Sequence, residues 1–329
     1  MKGADKMGEP KRKIAVLRHA DADGFGAAYA VWKALKDTCE LLFIPVQYGQ
    51  EPPYDELKAF GPDKVYIVDF SYKAPVLKEL AWQYPDLTVW DHHATALPEL
   101  QKWCGTEETQ HANTGGGSFF YSSTQSGCGL VWGMFHPDDE WLLELSDFPP
   151  SLPTPEILLY VQDRDLWKFE LENSKEINAY IATLPEDFEV WDDFYLPEAY
   201  TAGRAILAFQ EGQVKRRLKD AVMVTWGKYE GFNADADTIF YLDGAWVEQA
   251  LYKIPFLNCS ENHSEVGAAM NAAYPDSLFS VTYCDRADGK RSYSLRSNNG
   301  FDVSEVAKAF GGGGHPGAAG FTLDSPVVI

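Results

Sequence analysis

The chain has 329 residues, of which 45% are hydrophobic, and a formal net charge of −21 at pH 7. A chain of this length is too long for one compact core, which predicts two domains. No apolar run approaches the roughly 18 residues of a membrane span, so we expect no membrane partner. Nucleic-acid affinity rests largely on Lys and Arg contacts to phosphate, so this anionic surface disfavours long nucleic acid as a partner, while a short anionic substrate held by metal ions stays compatible with it. A solvated acidic surface that keeps the protein soluble is the alternative and explains most of the charge.

The cysteines and the N-terminus predict a cytoplasmic protein. The five cysteines are scattered and lack any C-x-x-C spacing, which argues against a disulfide framework or a thiolate zinc site. Residues 1–12 are polar and basic with no apolar segment behind them. We therefore expect a disordered tail there and not a signal peptide. The composition leaves a monomer and a homodimer equally open.

The first half alternates strand and helix signals, which predicts a doubly wound parallel α/β sheet. Its predicted elements are a strand at 14–18, a helix at 24–36, strands at 41–46 and 65–68, a helix at 75–82 and a strand at 87–90. The Gly/Ser/Thr-rich residues 105–127 predict a surface loop. Beyond it we expect a helix at 130–135, an acidic proline-rich excursion at 137–155 and a helix at 156–165.

The second half predicts a smaller α/β domain with a mixed sheet, joined to the first by a helix at 199–220. The predicted strands are 221–226, 237–241, 251–257, 278–284, 291–296 and 320–323, and the predicted helices are 264–273 and 303–310. The Asn/Asp-rich run 233–237 predicts a turn. The domain bounds are therefore 13–198 for the N-terminal domain, 199–220 for a linker helix and 221–329 for the C-terminal domain.

Metal-ligating side chains follow three of the predicted strands of the first half. The carboxyl ends of parallel strands meet at one edge of an open α/β sheet, where ligands bind. Four carboxylates and three imidazoles at one spot are electrostatically costly unless divalent cations neutralise them. The residues are His19, Asp21, Asp23, Asp69, Asp91, His92 and His93. Oxygen and imidazole donors favour Mn²⁺ or Mg²⁺ over zinc.

For the aspartates of the first two motifs, capping of a helix or turn is the alternative to metal binding, whereas the residues of the third motif can have separate roles. Asp21 and Asp23 are equally compatible with the cap of a helix, and Asp69 with the cap of a turn. Two adjacent histidines after an acid rarely serve packing. One can ligate a metal while His93 faces substrate, and Asp91 can accept the second N–H of the ligating ring.

Two further motifs lie later in the chain. Asp163 and Asp165 end an apolar helix, where the helix dipole disfavours acids, so they are either functional or part of a surface Asp–Arg network. The glycine run 311–314 lets backbone N–H groups approach an anion, and Arg296 and His315 can add donors. A flexible linker is the alternative for the glycines, but the strand-like run after them argues against it.

In this order the motifs resemble the DHH phosphoesterases, from His19-x-Asp21-x-Asp23-Gly24 through Asp69 and Asp91-His92-His93 to a later Asp. The tail resembles the C-terminal domain associated with that family, and the resemblance covers about residues 13–323. The matching tail elements are Ser294-Leu295-Arg296-Ser297, Asp302-Val303-Ser304, Ala309-Phe310-Gly311-Gly312-Gly313-Gly314-His315 and Ala318-Ala319-Gly320-Phe321.

The resemblance implies a centre of two divalent cations, with Mn²⁺ preferred and Mg²⁺ or Co²⁺ as alternatives. The implied metal ligands are His19, Asp21, Asp23, Asp69, His92 and Asp163. Asp165 is the alternative to Asp163, Asp69 would bridge the two ions, and the compressed first motif leaves direct ligation by His19 open. Asp91 and His93 are implied to be catalytic. The implied substrate-binding residues are Arg296, Gly312, Gly313, Gly314 and His315.

The leading hypothesis is a hydrolase of phosphodiester or phosphomonoester bonds in short nucleotide substrates. Two cations at such a site generate a hydroxide and clamp the attacking and leaving oxygens of a phosphoryl displacement. A single-strand exonuclease on longer nucleic acid and a non-catalytic scaffold are the alternatives. An inorganic pyrophosphatase shares the metal motifs, but the run Gly311–His315 speaks against it.

Overall fold

A computed structural model of the chain describes residues 11–106, 111–113, 117–136, 152–226, 239–240 and 252–323. The chain forms two units, the first comprising Met1–His92 and Ala96–Thr201 and the second His93–Thr95 and Ala202–Ile329. Three predicted features lie outside the described residues, namely the tail before residue 11, most of the stretch 137–155 and the turn at 233–237. The predicted domain bounds stay predictions.

The first unit is built on one sheet of six strands. The strands are β1 (Arg12–His19), β2 (Cys39–Val46), β3 (Lys64–Val68), β4 (Leu87–Asp91), β5 (His111–Asn113) and β6 (Ser118–Tyr121). Their order is β2-β1-β3-β4-β6-β5, and all neighbours pair in parallel apart from β5, which is antiparallel to β6. The parallel order brings the carboxyl ends of β1, β3 and β4 to the same edge of the sheet.

Helices cover both faces of this sheet. They are α1 (Ala22–Leu35), α2 (Tyr54–Phe60), α3 (Ala74–Gln83), α4 (Leu97–Cys104), α5 (Gly127–Phe135), α6 (Glu156–Asp165), α7 (Ser174–Ile181), α8 (Phe188–Asp192) and the start of α9 (Leu196–Arg217). Along β1, Ile14 and Val16 pack with α1, α5 and α6, whereas Ala15 and Leu17 pack with α2, α3 and α4. Strands buried on both faces need continuous apolar runs, which confirms the predicted doubly wound parallel sheet.

The surface loop predicted over 105–127 is wrong in part. Within the described residues of this segment, β5 and β6 join the sheet, and β6 pairs in parallel with β4. Phe119 in β6 is fully buried. The local Gly/Ser/Thr content predicts a loop, but the short aromatic run around Phe119 gains its stability from pairing with a strand that is distant in sequence.

In its described residues, the second unit contains a seven-stranded mixed sheet with two helices. Its strands are β7 (Val222–Trp226), β8 (Ile239–Phe240), β9 (Tyr252–Asn258), β10 (Ser280–Asp285), β11 (Arg291–Arg296), β12 (Gly313–His315) and β13 (Ala318–Leu323), in the order β12-β13-β11-β10-β9-β7-β8. Two neighbouring pairs, β9–β10 and β7–β8, are parallel, and the other four are antiparallel. The predicted mixed sheet is confirmed.

Two helices and the end of α9 complete the second unit. Helix α10 (His263–Ala273) packs with Val214 of α9 on one face of the sheet, and α11 (Val303–Ala309) packs on the other. The helix predicted at 199–220 is observed as α9 followed by a short 3₁₀ turn, Leu218–Asp220. No helix in the described part of the chain is long and apolar enough to cross a membrane.

The sequence did not predict α2, α4, α7, α8 and β12. The four helices have between 5 and 8 residues, and β12 has 3. A periodicity of 3.6 or 2 residues needs a longer window to be recognised, so such elements are set by packing more than by pattern.

Candidate metal centre

The turn from β1 into α1 places the first two candidate ligands together. Asp21 is the N-cap residue of α1, and its Oδ1 accepts a hydrogen bond from the backbone N–H of Gly24 over 2.9 Å. Its Oδ2 lies 2.8 Å from His19 Nδ1. A Cβ at Gly24 would lie 2.7 Å from the carbonyl carbon of His19, so the turn requires glycine. One carboxylate therefore caps the helix and contacts an imidazole at once.

Asp69 lies directly after β3 and between two histidines. Its Oδ1 is 3.0 Å from His92 Nε2, and its Oδ2 is 3.8 Å from His19 Nδ1. The side chain is only 1% exposed, so the carboxylate is removed from water. A buried carboxylate is costly unless positive charge neutralises it, and a bound cation would do so.

Asp23 is oriented by the N-terminus of α5. Its Oδ1 accepts hydrogen bonds from Ser126 Oγ at 2.7 Å and from the N–H of Cys128 at 3.0 Å. Its Oδ2 accepts one from the N–H of Gly127 at 2.6 Å and lies 3.5 Å from His92 Nε2. Backbone N–H groups at a helix N-terminus are suited to bind a carboxylate, so α5 fixes the orientation of the Asp23 side chain.

Gly127 is required because α5 begins against Asp69. A Cβ at this position would lie 2.5 Å from Asp69 Oδ1, closer than any real contact. Sequence reasoning missed both Ser126 and Gly127, because the predicted helix began only at 130. The available signal was the Ser-Gly pair before an apolar run, since serine is a preferred N-cap residue.

Asp165, and not Asp163, reaches the other candidate ligands in this structure. Asp165 Oδ2 lies 3.5 Å from His92 Nε2. The carboxylate of Asp163 instead accepts the backbone N–H groups of Glu170 at 2.9 Å and Leu171 at 3.3 Å. Both aspartates lie in the last turn of α6 and have similar sequence surroundings. The sequence therefore could not show which of them binds the following backbone and which lies with the candidate ligands.

The candidate ligands of the first unit form two sets of three. One set is His19, Asp21 and Asp69, and the other is Asp23, His92 and Asp165. Within each set the ligand atoms lie within 4.8 Å of one another. Asp91, predicted to be catalytic, is fully buried, and its Oδ1 accepts the backbone N–H of His92 at 2.7 Å.

Burial and mutual repulsion raise the pKa values of two acids in this cluster, Asp69 and Asp165. Burial, followed by the charges of Asp23 and Asp21, raises the pKa of Asp69 well above its usual range. Burial, followed by the charge of Asp23, raises the pKa of Asp165 to about 8. Burial alone lowers the pKa of His92, but Asp165 and Asp23 outweigh it and raise that pKa. Divalent cations would replace these protons, so the donor set fits the implied metals.

Tyr48 is a member of the site that sequence reasoning missed, because the tyrosines were assigned to packing. It follows the carboxyl end of β2, and its ring lies 5.3 Å from that of His19 in an edge-to-face arrangement. Its ring is also 4.8 Å from that of Phe70. Burial, then the charge of Asp91, raises the pKa of Tyr48 well above its usual range, so the phenol stays protonated as a donor.

The candidate substrate-binding residues lie in the second unit. The rings of His93 and His315 stack with centroids 4.8 Å apart. The N–H of Gly314, in β12, donates to Thr95 Oγ1 over 3.3 Å. The guanidinium of Arg296 donates to Ser264 Oγ at 2.6 Å and to Ser294 Oγ at 3.1 Å. The predicted substrate-binding roles stay predictions.

Two family models match the sequence. The model of the N-terminal domain of the DHH family matches residues 13–158, and that of the DHHA1 domain matches residues 264–328. The uncharacterized protein R106 of Acanthamoeba polyphaga mimivirus is 26% identical over 317 residues, which are 92% of this chain and 65% of the viral protein. The chain thus spans slightly less than two thirds of that relative.

Among solved structures, RecJ from Thermus thermophilus in complex with Mn²⁺ has a TM-score of 0.50 and 16% identity, covering 95% of this chain and 50% of RecJ. The pGpG-specific phosphodiesterase PggH from Vibrio cholerae has a TM-score of 0.34 and 12% identity, covering 95% of this chain and 92% of PggH. At such identities the likeness to RecJ shows the shared fold alone.

Proposed function

Because the chain belongs to the DHH family, with an N-terminal DHH domain and a DHHA1 domain, we propose that it is a hydrolase of phosphate esters in short nucleotides. Its substrates would be short oligonucleotides, dinucleotides or nucleoside bisphosphates. The family includes nucleic-acid and nucleotide phosphoesterases, which supports the reaction class. The finer choice of substrate and of cation rests on the chemistry of the site and the charge of the chain.

The arrangement around Asp69 carries this proposal. Each of its carboxylate oxygens is directed at a different histidine, His19 on one side and His92 on the other. An acid in that position fits a bridge between two cations, one in each set of ligands. We propose His19 and Asp21 for one ion, and Asp23, His92 and Asp165 for the other, so that Asp165 replaces Asp163 in the ligand set predicted from sequence.

The roles of the remaining residues follow from their contacts. Two bound divalent cations would activate water for attack at phosphorus and neutralise charge on the phosphate oxygens. Asp91 fixes the backbone of His92 through its N–H, and α5 fixes the carboxylate of Asp23. The protonated phenol of Tyr48 lies beside His19, where it can donate to an anionic oxygen. We assign to His93 the stabilisation of charge on the phosphate.

Two properties support a short substrate and the identity of the cation. A net charge of −21 repels a long polyphosphate more than a dinucleotide, since repulsion accumulates with every phosphate. Carboxylate and imidazole ligands without thiolates favour Mn²⁺, with Mg²⁺ or Co²⁺ as alternatives. We therefore propose a Mn²⁺-dependent enzyme of the cytoplasm that acts on short nucleotides.

The test is a substrate panel with the purified protein and Mn²⁺, with products identified by mass. We expect dinucleotides and nucleoside bisphosphates to be cleaved and 20-mers to be poor substrates. Faster cleavage of the 20-mer would favour the exonuclease alternative and contradict the short-substrate proposal. If no phosphate ester is cleaved with Mn²⁺, Mg²⁺ or Co²⁺, the result contradicts the hydrolase proposal and favours the non-catalytic scaffold. Phosphate release from pyrophosphate, assayed in parallel, tests the pyrophosphatase alternative.

A further inference from the structure

The helix that carries Asp165 ends in a conformation that its side chains do not favour. Trp167, two positions after the end of α6, has a φ of 55° in the left-handed region, and its N–H donates to the carbonyl of Arg164 over 2.9 Å. A left-handed residue just beyond a helix C-terminus is commonly glycine, and a bulky side chain there is strained. Phe169, with a φ of 51°, repeats the strain.

Asp163 holds this strained segment in place. Its carbonyl accepts the N–H groups of Lys168 at 2.9 Å and Phe169 at 3.4 Å. Its carboxylate accepts those of Glu170 at 2.9 Å and Leu171 at 3.3 Å. Asp163 is itself only 6% exposed, so its acceptor oxygens are largely removed from water, while the donors Glu170 and Leu171 are exposed residues. Strained residues persist only where the surroundings over-determine them, and such sites are concentrated at ligand clamps and active sites.

The two aromatic side chains form a pair beside positive charge, with Trp167 exposed and Phe169 half-buried. Their rings meet edge to face with centroids 5.0 Å apart, and Trp167 is 45% exposed. Lys175 Nζ lies 5.4 Å from the centroid of the Phe169 ring, and Lys168 is exposed between the two aromatic residues. In a chain with a net charge of −21, an aromatic pair flanked by lysines fits a ligand that has both an aromatic ring and a phosphate.

We propose that Trp167 and Phe169 form a stacking platform for the nucleobase adjacent to the scissile phosphate. The proposal rests on the phosphoesterase function proposed above and names the part of the substrate recognised outside the metal centre. The Cα of Trp167 lies at most about 7.6 Å from that of Asp165, because only two peptide units separate them. Asp165 Oδ2 in turn lies 3.5 Å from His92 Nε2. A nucleobase is one sugar away from its phosphate, so one nucleotide can reach both places.

The chemistry of stacking determines which substrates the aromatic pair should bind more tightly. Every base has a π-face, so an aromatic platform binds nucleotides with little regard for base identity. It contributes nothing to a substrate without a base. The platform therefore makes Trp167 a specificity-determining residue that separates nucleotides from other phosphate esters, and it makes Asp163 a positioning residue that acts through the backbone.

The experiment compares Trp167→Ala with Trp82→Ala, since Trp82 on α3 is 83% exposed and serves as the matched control. Binding of AMP and of ribose 5-phosphate is measured by calorimetry in the presence of Mn²⁺. We expect Trp167→Ala to weaken AMP binding by about 5- to 150-fold, the range that loss of one stacked base produces. Ribose 5-phosphate binding should not change, and Trp82→Ala should bind both as the wild type does.

Two results would overturn the platform while leaving the hydrolase intact. One is AMP binding by Trp167→Ala equal to that of the wild type, as expected if the exposed ring serves a protein partner. The other is wild-type protein that does not prefer AMP over ribose 5-phosphate. Failure of the phosphoesterase proposal has a separate signature, namely the absence of metal-dependent hydrolysis by the wild type.

A pair of further variants separates binding from packing. Trp167→Tyr keeps an aromatic face and should retain most of the AMP affinity. Trp167→Gly removes the ring and also the left-handed strain, because glycine adopts positive φ freely. We expect it to melt no lower than the wild type while binding AMP as weakly as Trp167→Ala. A melting temperature of Trp167→Gly well below that of the wild type would assign the ring to packing and overturn the proposal.

Discussion

At the residue scale, Asp69 combines burial, strain and charge. It is 1% exposed and has a φ of 56°, a conformation that Asp and Asn tolerate better than other side chains. Its N–H donates to the carbonyl of Trp90 over 2.8 Å, which ties the residue to the neighbouring strand. Without cations this carboxylate costs stability, so its presence has to be explained by what it binds.

Replacing Asp69 by Asn tests this directly. Asn keeps the shape and the left-handed backbone but removes the charge, so we expect the fold to persist. We expect turnover to fall by more than about 100-fold, because losing a residue that only contacts a metal ligand costs up to about that much. The Mn²⁺-induced rise in melting temperature should also shrink. Both quantities are measured on purified protein by hydrolysis assay and calorimetry. A variant that keeps full activity would remove Asp69 from the metal centre.

Gly127 provides a second prediction at this scale. Gly127→Ala places a Cβ against the Asp69 carboxylate, so we expect weaker Mn²⁺ binding and lower activity. The matched control is Gly133→Ala in the same helix, where the described residues leave open space around the added Cβ. That change should stabilise the protein by up to about 1 kcal/mol through helix propensity. Equal Mn²⁺ affinity in the two variants, measured by titration calorimetry, would contradict the contact.

At the element scale, helix ends supply the fixed charges and the geometry of the site. The N-terminus of α1 is capped by Asp21, and the N-terminus of α5 holds Asp23. The C-terminus of α6 presents Asp165 to His92, although acids are disfavoured there. Helix and strand ends carry backbone groups without partners inside the element, which is why ligands gather where several ends meet.

The two acids of α6 should behave differently on substitution. Asp163→Asn weakens a buried acceptor of the backbone N–H groups of Glu170 and Leu171 and should lower the free energy of unfolding by about 1 kcal/mol while Mn²⁺ still raises the melting temperature. Asp165→Asn should leave the metal-free protein at least as stable and reduce the effect of Mn²⁺. Thermal unfolding with and without Mn²⁺ distinguishes them. The reverse pattern would restore Asp163 as the metal ligand.

At the scale of the whole molecule, the excess of acidic residues is the dominant physical property. Such a surface attracts divalent cations and repels free anionic substrates, and both effects are screened over about 10 Å at 0.1 M salt. The two domain types expected from the family resemblance both match family models, at residues 13–158 and 264–328.

The salt dependence of kcat/KM follows from this charge. At saturating Mn²⁺, we expect kcat/KM for a dinucleotide to rise a few-fold between roughly 10 and 150 mM salt, because screening relieves repulsion during encounter. A protein that uses a basic surface shows the opposite slope. A fall in kcat/KM over this range, in steady-state assays with metal held saturating, would indicate a local positive path for the substrate that outweighs the net charge.

The sequence by itself determined the fold class, because continuous apolar runs alternating with helical patterns admit few arrangements other than a parallel sheet. It also determined which residue types gather at the strand ends, since motif order places His19, Asp69 and His92 at the carboxyl ends of β1, β3 and β4. Family membership followed from the same motifs.

Only the tertiary structure decided between residues with equivalent local patterns. Asp163 and Asp165 share one helix end, yet one anchors the following segment and the other reaches His92. Ser126 and Gly127 enter the site because α5 packs against β3 and the turn after β1, and β6 exists because it pairs with β4. These outcomes depend on contacts between segments distant in the chain, and such contacts have no local signature.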